Sequence, residues 1–562
     1  MATQLTFALM DALSGHAAEH GTHASGETRG VVITKPHIVE FILDLTRYTS
    51  DRDLGALTLL EPSCGHGTFL IPAVSRLLAA ADRTGRPAAA LERAVLAFVE
   101  LEHVDRIKRA LFAVLQQHKI GKSAANRLVE AWVRTEDFLL TKIERHFDLV
   151  VGNPPHVRIE QLSTSLQTEY RKRYPSLCHR ADLYVAFIEC GLSLLSRVGY
   201  LSFICADRWV SNTYGTPLRE LITTQYRLEC YVDLHKASPF ESDVIAYPSI
   251  FLLGQGKTER VSMISLETAS TVEYAGVTAA LAGRGAAPDG TSIATYDTWF
   301  QGDEPWVLSS PVHLQALRAL EARFLPLEAT ARVGIGVATG NDKIYIVKGD
   351  IDIERDRLVP LVMRNDVKHG RITNADRYVI NTFREDGQVV DLCNYPKLRA
   401  YLDEHMTALK KRHVAQKNPR SWFRTIDRVY PEVVSVPKLL IPDIAGSNEV
   451  ALEVGHYHPH HNLYFVTSTR WDMEILGGLL SSRVALFFVW SYAVKMRGGY
   501  LRFQAQYLRR IRLPDPEGVS AGLVSAIRSA FQKRDFVSLD RLALEVYGLE
   551  DLPLFDFVDT RR

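Results

Sequence analysis

Cysteine is scarce. Six residues, Cys64, Cys178, Cys190, Cys205, Cys230 and Cys393, are scattered over 562 positions. None stand in close pairs with the spacing of zinc ligands, so reduced thiols are the expectation. Long apolar runs are missing as well, and nothing reaches the length of a bilayer span. The opening stretch, MATQLTFALMDALSGHAAEH, lacks the basic n-region of a secretory signal. Both absences point to a cytoplasmic protein with no membrane partner. Net charge is small: 66 Lys and Arg against 65 Asp and Glu leave +1. That balance neither demands nor excludes nucleic acid, because an average hides any local basic face. No internal repeat is visible.

What is present is a globular composition, 46% hydrophobic and 23% charged. The length exceeds one ordinary core, so two or three domains are expected. Residues 1–29, rich in Gly, His, Ala and Thr, read as a flexible arm. From 30 to 265, short apolar runs alternate with amphipathic helices. Candidate strands are 57–61, 95–101, 147–152, 200–205, 230–234 and 249–253. Candidate helices include 36–46, 68–81, 106–118 and 181–195. This rhythm argues for an α/β fold with a mostly parallel, doubly wound sheet. Residues 266–305, with the small-residue stretch AGVTAALAGRGAAPDGTS, read as a linker or surface excursion. From 306 to 562 the rhythm is lost, and polar, aromatic and basic residues interleave, as in KKRHVAQKNPRSWFR. This half is taken as a second domain.

The chemistry collects at strand ends. LLEPSCGHGTFL carries Glu61, Ser63, Gly65 and Gly67 between an apolar strand and a helix. Open α/β sheets bind ligands there, with backbone brought close by glycine and free N–H groups offered by the helix. The spacing is neither G-x-G-x-x-G nor a loop closing on Lys-Ser/Thr. Glu61 disfavours phosphate and favours a cationic ligand group. AFVELE ends the next strand in Glu100, Leu101 and Glu102, and a carboxylate at that place can accept both hydroxyls of a ribose. RTEDFLL offers Asp137 to take an adenine amine and Phe138 to stack on its ring. In FDLVVGNPPHVR, the Asn153 amide and the Pro154 carbonyl supply two acceptors for one planar NH2 group. Holding both protons draws the nitrogen lone pair out of conjugation and makes the amine a nucleophile. Pro155 stiffens the tip, and the His156 ring can stack on the base. Positioning and dipoles suffice for such a methyl transfer, with no metal. The alternative is a plain strand-ending turn.

Taken in order, these motifs resemble the gamma-class N6-adenine DNA methyltransferases of the Taq-like type. RGVVITKPHIVEFIL resembles the family's first cofactor motif, where Thr34 would touch the methionine end. ASPFESDVIAYPSIFLL resembles the later motif in which an aromatic ring, here Phe240, faces the flipped base. The resemblance implies a Rossmann-like class I methyltransferase domain with a C-terminal α+β DNA-specificity domain. It implies S-adenosyl-L-methionine held by Thr34, Glu61, Ser63, Gly65, Gly67, Glu100, Leu101, Asp137, Phe138 and Asn153. It implies an adenine rotated out of duplex DNA between the domains, a monomer, and a cognate restriction endonuclease acting separately. RVGIGVATGNDKIYIV and PKLLIPDIAGS resemble parts of a Taq-like specificity domain more loosely. Arg158, Arg412, Lys417, Arg420, Trp422, Arg424 and Arg497 are the DNA-contact candidates, with Lys495, Arg502 and Arg509 beside them. Two departures stand out: His156 replaces the family's Tyr or Phe, and Lys35 separates Thr34 from Pro36. N4-cytosine methylation, protein glutamine methylation and a DNA-binding homologue without activity remain as alternatives. The histidines of HYHPHH (His456, His458, His460, His461) suggest a metal, but no cysteine or acidic triad accompanies them, and no metal site is expected.

Overall fold

The computed structural model describes residues 32–242, 247–266, 274–297, 299–300, 302–373, 375–493 and 500–553. The arm, Lys495 and Arg497 lie outside them. The chain divides into two compact units, 1–307 and 308–562.

Among the described residues, the first unit is built on nine strands: β1 (Leu59–Glu61), β2 (Val95–Phe98), β3 (Val133–Arg134), β4 (Phe147–Gly152), β5 (Leu195–Ala206), β6 (Tyr226–Asp233), β7 (Pro248–Gln255), β8 (Val261–Leu266) and β9 (Thr291–Tyr296). Their order is β3-β2-β1-β4-β5-β7-β6-β8-β9. β3 to β5 run parallel, and β7 is inserted antiparallel between β5 and β6. The central strands are mostly apolar and almost wholly buried, as a sheet covered on both faces requires. LLE and VLAF are buried at every position. The helix Pro36–Leu45 starts on a proline whose missing N–H needs no partner at that place. It buries Ile38, Phe41 and Ile42 completely, each contributing about 1.5–3 kcal/mol of apolar transfer. This is the mostly parallel, doubly wound sheet that the alternation of strands and helices predicts.

The six strands read from the sequence all form. The stretch read as a linker does not behave as one. The helix Tyr274–Leu281 packs on Pro36–Leu45, with the Tyr274 ring 4.9 Å from that of Phe41. β9 pairs with β8 and closes the sheet. The Ala/Gly-rich helix has little side-chain periodicity to read, and its fate is set by what it covers. Trp306 also belongs to the first unit, 5.0 Å from Trp209, so the boundary falls after Val307 and not before residue 306.

In the second unit, Arg332–Ile335, Leu463–Thr467, Lys438–Pro442 and Ala451–Glu453 make one four-stranded sheet. Ile346–Lys348, Arg377–Ile380, Leu358–Val362 and His458–Pro459 make another. Helices Met473–Leu480, Arg483–Tyr492, Ala521–Lys533 and Phe536–Tyr547 complete this α+β unit. Among the described residues no single helix is long and apolar enough to cross a membrane. Met473–Leu480 and Arg483–Tyr492 together pass that test as a pair bent by 57°, but their apolar side chains are core residues of the unit.

Candidate active site

β1 is the point where the strand order reverses, with β2 on one side and β4 on the other. The crevice above such a switch point is where open α/β sheets hold ligands. Glu61 ends β1, and Asn153 follows β4 directly. The loop after β1 is tied down by the Cys64 N–H, which donates to the Phe98 carbonyl at 2.9 Å, and by the Gly67 N–H to the Cys64 carbonyl at 2.8 Å. Gly67 sits at φ +85, and a Cβ there would lie 2.7 Å from Ile107 Cδ1. Only glycine meets both the left-handed conformation and the close contact with the helix Val104–Gln117 that follows β2.

A partly open pocket lies over this crevice. Thr34, Glu61, Ser63, Gly65, Glu100, Asn153 and Pro155 line it. Val32, Ile33, Cys64, His66, Thr68 and Phe69 join them and were not singled out as ligand contacts from the sequence. The glycine motif alone could have flagged Cys64 and His66; Val32 and Ile33 arrive only by folding. Gly67, Leu101, Asp137, Phe138, Pro154, His156 and Phe240 are not in that lining.

The cavity is acidic and hungry for partners. Glu61 Oε2 and Glu100 Oε2 are buried with no hydrogen-bond partner. Burial pushes the Glu61 carboxyl well above its ordinary value. A hydrogen bond from Cys64 pulls back, and the neighbouring Glu100 pushes further up. A cationic ligand group would relieve this strain and bring the carboxyl back down. Burial, with His103 and Arg106 nearby, lowers His66 to about 4, so that ring is neutral near pH 7.

The tip after β4 is oriented by a distant segment. Asn153 Nδ2 donates to the Val32 carbonyl at 2.9 Å and to Thr34 Oγ1 at 3.3 Å. A carbonyl accepts only, so the amide cannot be turned over, and Oδ1 is left buried and unpartnered. Thr34 is held by a backbone bridge to Phe240, with Lys35 N–H on the Pro239 carbonyl at 2.9 Å. The Phe240 ring is packed into the core and only 4% exposed. The sequence reading had it facing a base; here it lies in the hydrophobic core cluster of the first unit. His156 stands 5.7 Å from the Tyr184 ring, and its Nε2 is buried without a partner. Burial lowers it to about 4. Behind Tyr184, its hydroxyl meets that of Tyr214 at 2.8 Å.

Asp137 and Phe138 stand slightly apart. The Asp137 carboxylate accepts from the Leu139 N–H at 2.8 Å and from the Tyr170 hydroxyl. Phe138 lies between Phe98 and Phe187, at 5.2 and 5.3 Å.

The basic candidates divide sharply. Arg158, Lys417 and Arg420 are exposed. Arg412 is an internal brace. Its guanidinium donates to the carbonyls of Thr339, Leu409, Trp422 and Arg424 at 2.9–3.2 Å and to the Tyr345 hydroxyl at 3.0 Å. It is therefore corrected from DNA contact to scaffold. Trp422 and Arg424 are half-buried, with Lys410 Nζ 5.5 Å over the indole and Arg424 5.3 Å over Phe383. Arg502 is paired with Asp443 at 2.7 Å, and Arg509 with Glu328 at 2.6 Å.

Sheet order, glycine loop, strand-end carboxylates and the Asn-Pro-Pro tip together define a class I methyltransferase site. The relatives narrow it. Residues 89–240 match the family model described as Eco57I restriction-modification methylase. Type II methyltransferase M.BstVI of Geobacillus stearothermophilus is 42% identical over 94% of this chain and 97% of its own length. M.PaeR7I of Pseudomonas aeruginosa is 43% identical over 94% and 93%. The solved type IIL restriction-modification enzyme MmeI, in complex with DNA, shares the fold with a TM-score of 0.56 at 12% identity, over 92% of this chain and 74% of that one. The chain belongs to the Type II methyltransferases of restriction–modification systems, and it is a DNA methyltransferase.

Proposed function

We propose that this enzyme methylates the N6 amine of adenine in duplex DNA, at a specific site, with S-adenosyl-L-methionine as donor. The observation that carries the reading is the Asn153 amide oxygen, buried, unpartnered and fixed in direction by the two bonds its nitrogen makes.

The cavity residues fit the cofactor through their unsatisfied atoms. Glu61 and Glu100 offer carboxylate oxygens with no protein partner, suited to a cationic amino acid end and to ribose hydroxyls. Asp137 and Phe138 would flank the adenine end. When bound, the cofactor supplies an electrophilic methyl group on a sulfonium. The chain's own residues prepare the nucleophile. Asn153 Oδ1 and the Pro154 carbonyl accept the two amine protons and hold the nitrogen lone pair out of the ring system. His156, neutral by burial, stacks on a base rotated out of the helix. The acceptors are fixed before the substrate arrives, so no reorganisation is needed as charge develops on nitrogen. Arg158, Lys417 and Arg420 are free to meet phosphates, which position the duplex without reading it. The physiological role in this reading is protection of host DNA from a separate endonuclease.

The test is transfer of labelled methyl groups from S-adenosylmethionine to unmethylated genomic DNA, followed by nucleoside analysis. N6-methyladenine is expected. N4-methylcytosine would keep the mechanism and overturn the base; label in protein alone would overturn the substrate.

A further inference from the structure

The HYHPHH segment has no part in the function above. Tertiary structure gives its histidines the carboxylate that the local sequence lacks. His458–Pro459 forms the edge of one small sheet of the second unit. The next residue, His460, bridges to Val337, just beyond the Arg332–Ile335 strand of the other sheet. The approach is close: a Cβ on Gly336 would lie 2.2 Å from the His460 carbonyl oxygen. The chain then turns, and Asp342 opens the short helix Asp342–Tyr345. Thr339 Oγ1 donates to Asp342 Oδ1 at 2.6 Å. Asp342 Oδ2 stands 3.1 Å from His460 Nε2. The His460 and His461 rings lie 4.1 Å apart between centroids. One ligand atom from each of Asp342, His460 and His461 falls within 4.8 Å of the other two.

A carboxylate–imidazole hydrogen bond accounts for one contact here and leaves the rest unexplained. His460 Nδ1 and His461 Nδ1 are both buried without a hydrogen-bond partner, and His460 is fully buried. Two adjacent imidazoles, each with an unsatisfied nitrogen, are costly in a dry interior. A cation taking one lone pair from His460 Nε2, one from the carboxylate and one from His461 would replace the Asp342–His460 hydrogen bond and, through Nδ1 of His461, satisfy that nitrogen. Tetrahedral ligands at about 2.0–2.1 Å from zinc lie roughly 3.3 Å apart. The Asp342–His460 spacing of 3.1 Å already meets this. The Asp342 side chain is 43% exposed, and the three ligand atoms, all within 4.8 Å of one another, draw together on binding.

We propose that Asp342, His460 and His461 form a divalent transition-metal site of the zinc class, clipping the turn that begins at Gly336 to the His458–His461 segment of the second unit. Imidazole with carboxylate suits zinc, nickel or copper and not magnesium or calcium. The fourth position, on the exposed side of Asp342, takes water.

The test uses the full chain with His16, His20 and His23 replaced by alanine, which removes the other sequence-local histidine cluster. The protein is stripped with a chelator, and Zn2+ is titrated in competition with a chromophoric chelator. One equivalent is expected, and Co2+ is expected to give the intense visible bands of four-coordination. Asp342→Asn, which keeps size and hydrogen bonding, should weaken Zn2+ by at least about 10-fold, and His461→Gln should do so independently. Circular dichroism of the stripped variants checks their fold. Absence of stoichiometric binding overturns the proposal. So does binding that both substitutions leave unchanged.

Discussion

Asn153→Ala separates the two jobs that the structure gives one side chain. Nδ2 anchors residues 32 and 34 through bonds of 2.9 and 3.3 Å, and Oδ1 faces the site. The anchor is worth little more than one good neutral hydrogen bond, about 1 kcal/mol, since the second is long. Cofactor affinity should therefore fall by about 5-fold. The acceptor is a fixed dipole in a water-poor site, worth about 3–4 kcal/mol in the transition state. At 1.36 kcal/mol per decade, the methyl-transfer rate should fall by roughly 10²–10³. Asn153→Asp keeps the shape but sets a carboxylate oxygen against the Val32 carbonyl. It should be as slow as alanine and bind cofactor worse. The assay is single-turnover transfer of labelled methyl to DNA carrying the mapped site, with cofactor affinity measured separately by calorimetry. A single-turnover rate within about 5-fold of the parent would refute the acceptor role. A loss appearing wholly in cofactor affinity would reduce Asn153 to an anchor.

His156→Tyr should keep the turnover within about 3-fold, because a neutral stacking ring is replaced by another; a severe loss would mean that the imidazole bonds to the base. His156, His66 and His458 are all lowered to about 4, chiefly by burial. The unfolded chain takes up their protons near pH 6.5 and the folded chain only near 4. The stability they contribute is thus full above pH 6.5 and lost as pH falls towards 4, by up to about 1.4 kcal/mol per pH unit for each group. Urea midpoints across that range, with His156→Phe flattening the slope, test this. Arg412→Ala should destabilise the second unit by about 2–4 kcal/mol, because it strands several half-buried carbonyls. Lys417→Ala and Arg420→Ala should leave stability unchanged and each lower the salt slope of DNA binding by about 1. Lys438 and Glu453 form an ion pair at 0% and 1% exposure. Glu453→Gln should cost about 3–5 kcal/mol by leaving a buried charge alone. Adding Lys438→Met should restore most of it, as read by thermal unfolding.

The sequence by itself determined the central sheet and the order of the chemistry. Strands covered on both faces must be mostly apolar, so β1, β2 and β4 are legible as runs, and their ends carry Glu61, Glu100 and Asn153 in plain view. Residue type at a strand end is local information. What the folded chain decided depends on segments far apart in sequence. The direction of the Asn153 amide comes from Val32 and Thr34, 121 and 119 positions away. Asp342 meets His460 across 118, which turned a histidine run without an acid into a ligand set. Arg412 sits in a basic run that reads as a nucleic-acid contact, yet the carbonyls around it draw it inward. Phe240 reads as a stacking ring and is taken by the core. Helix Tyr274–Leu281 reads as a linker and is helical because it covers Phe41 and His37. Hydrogen-bond partners and burial are properties of two segments at once, and neither segment alone carries the signal.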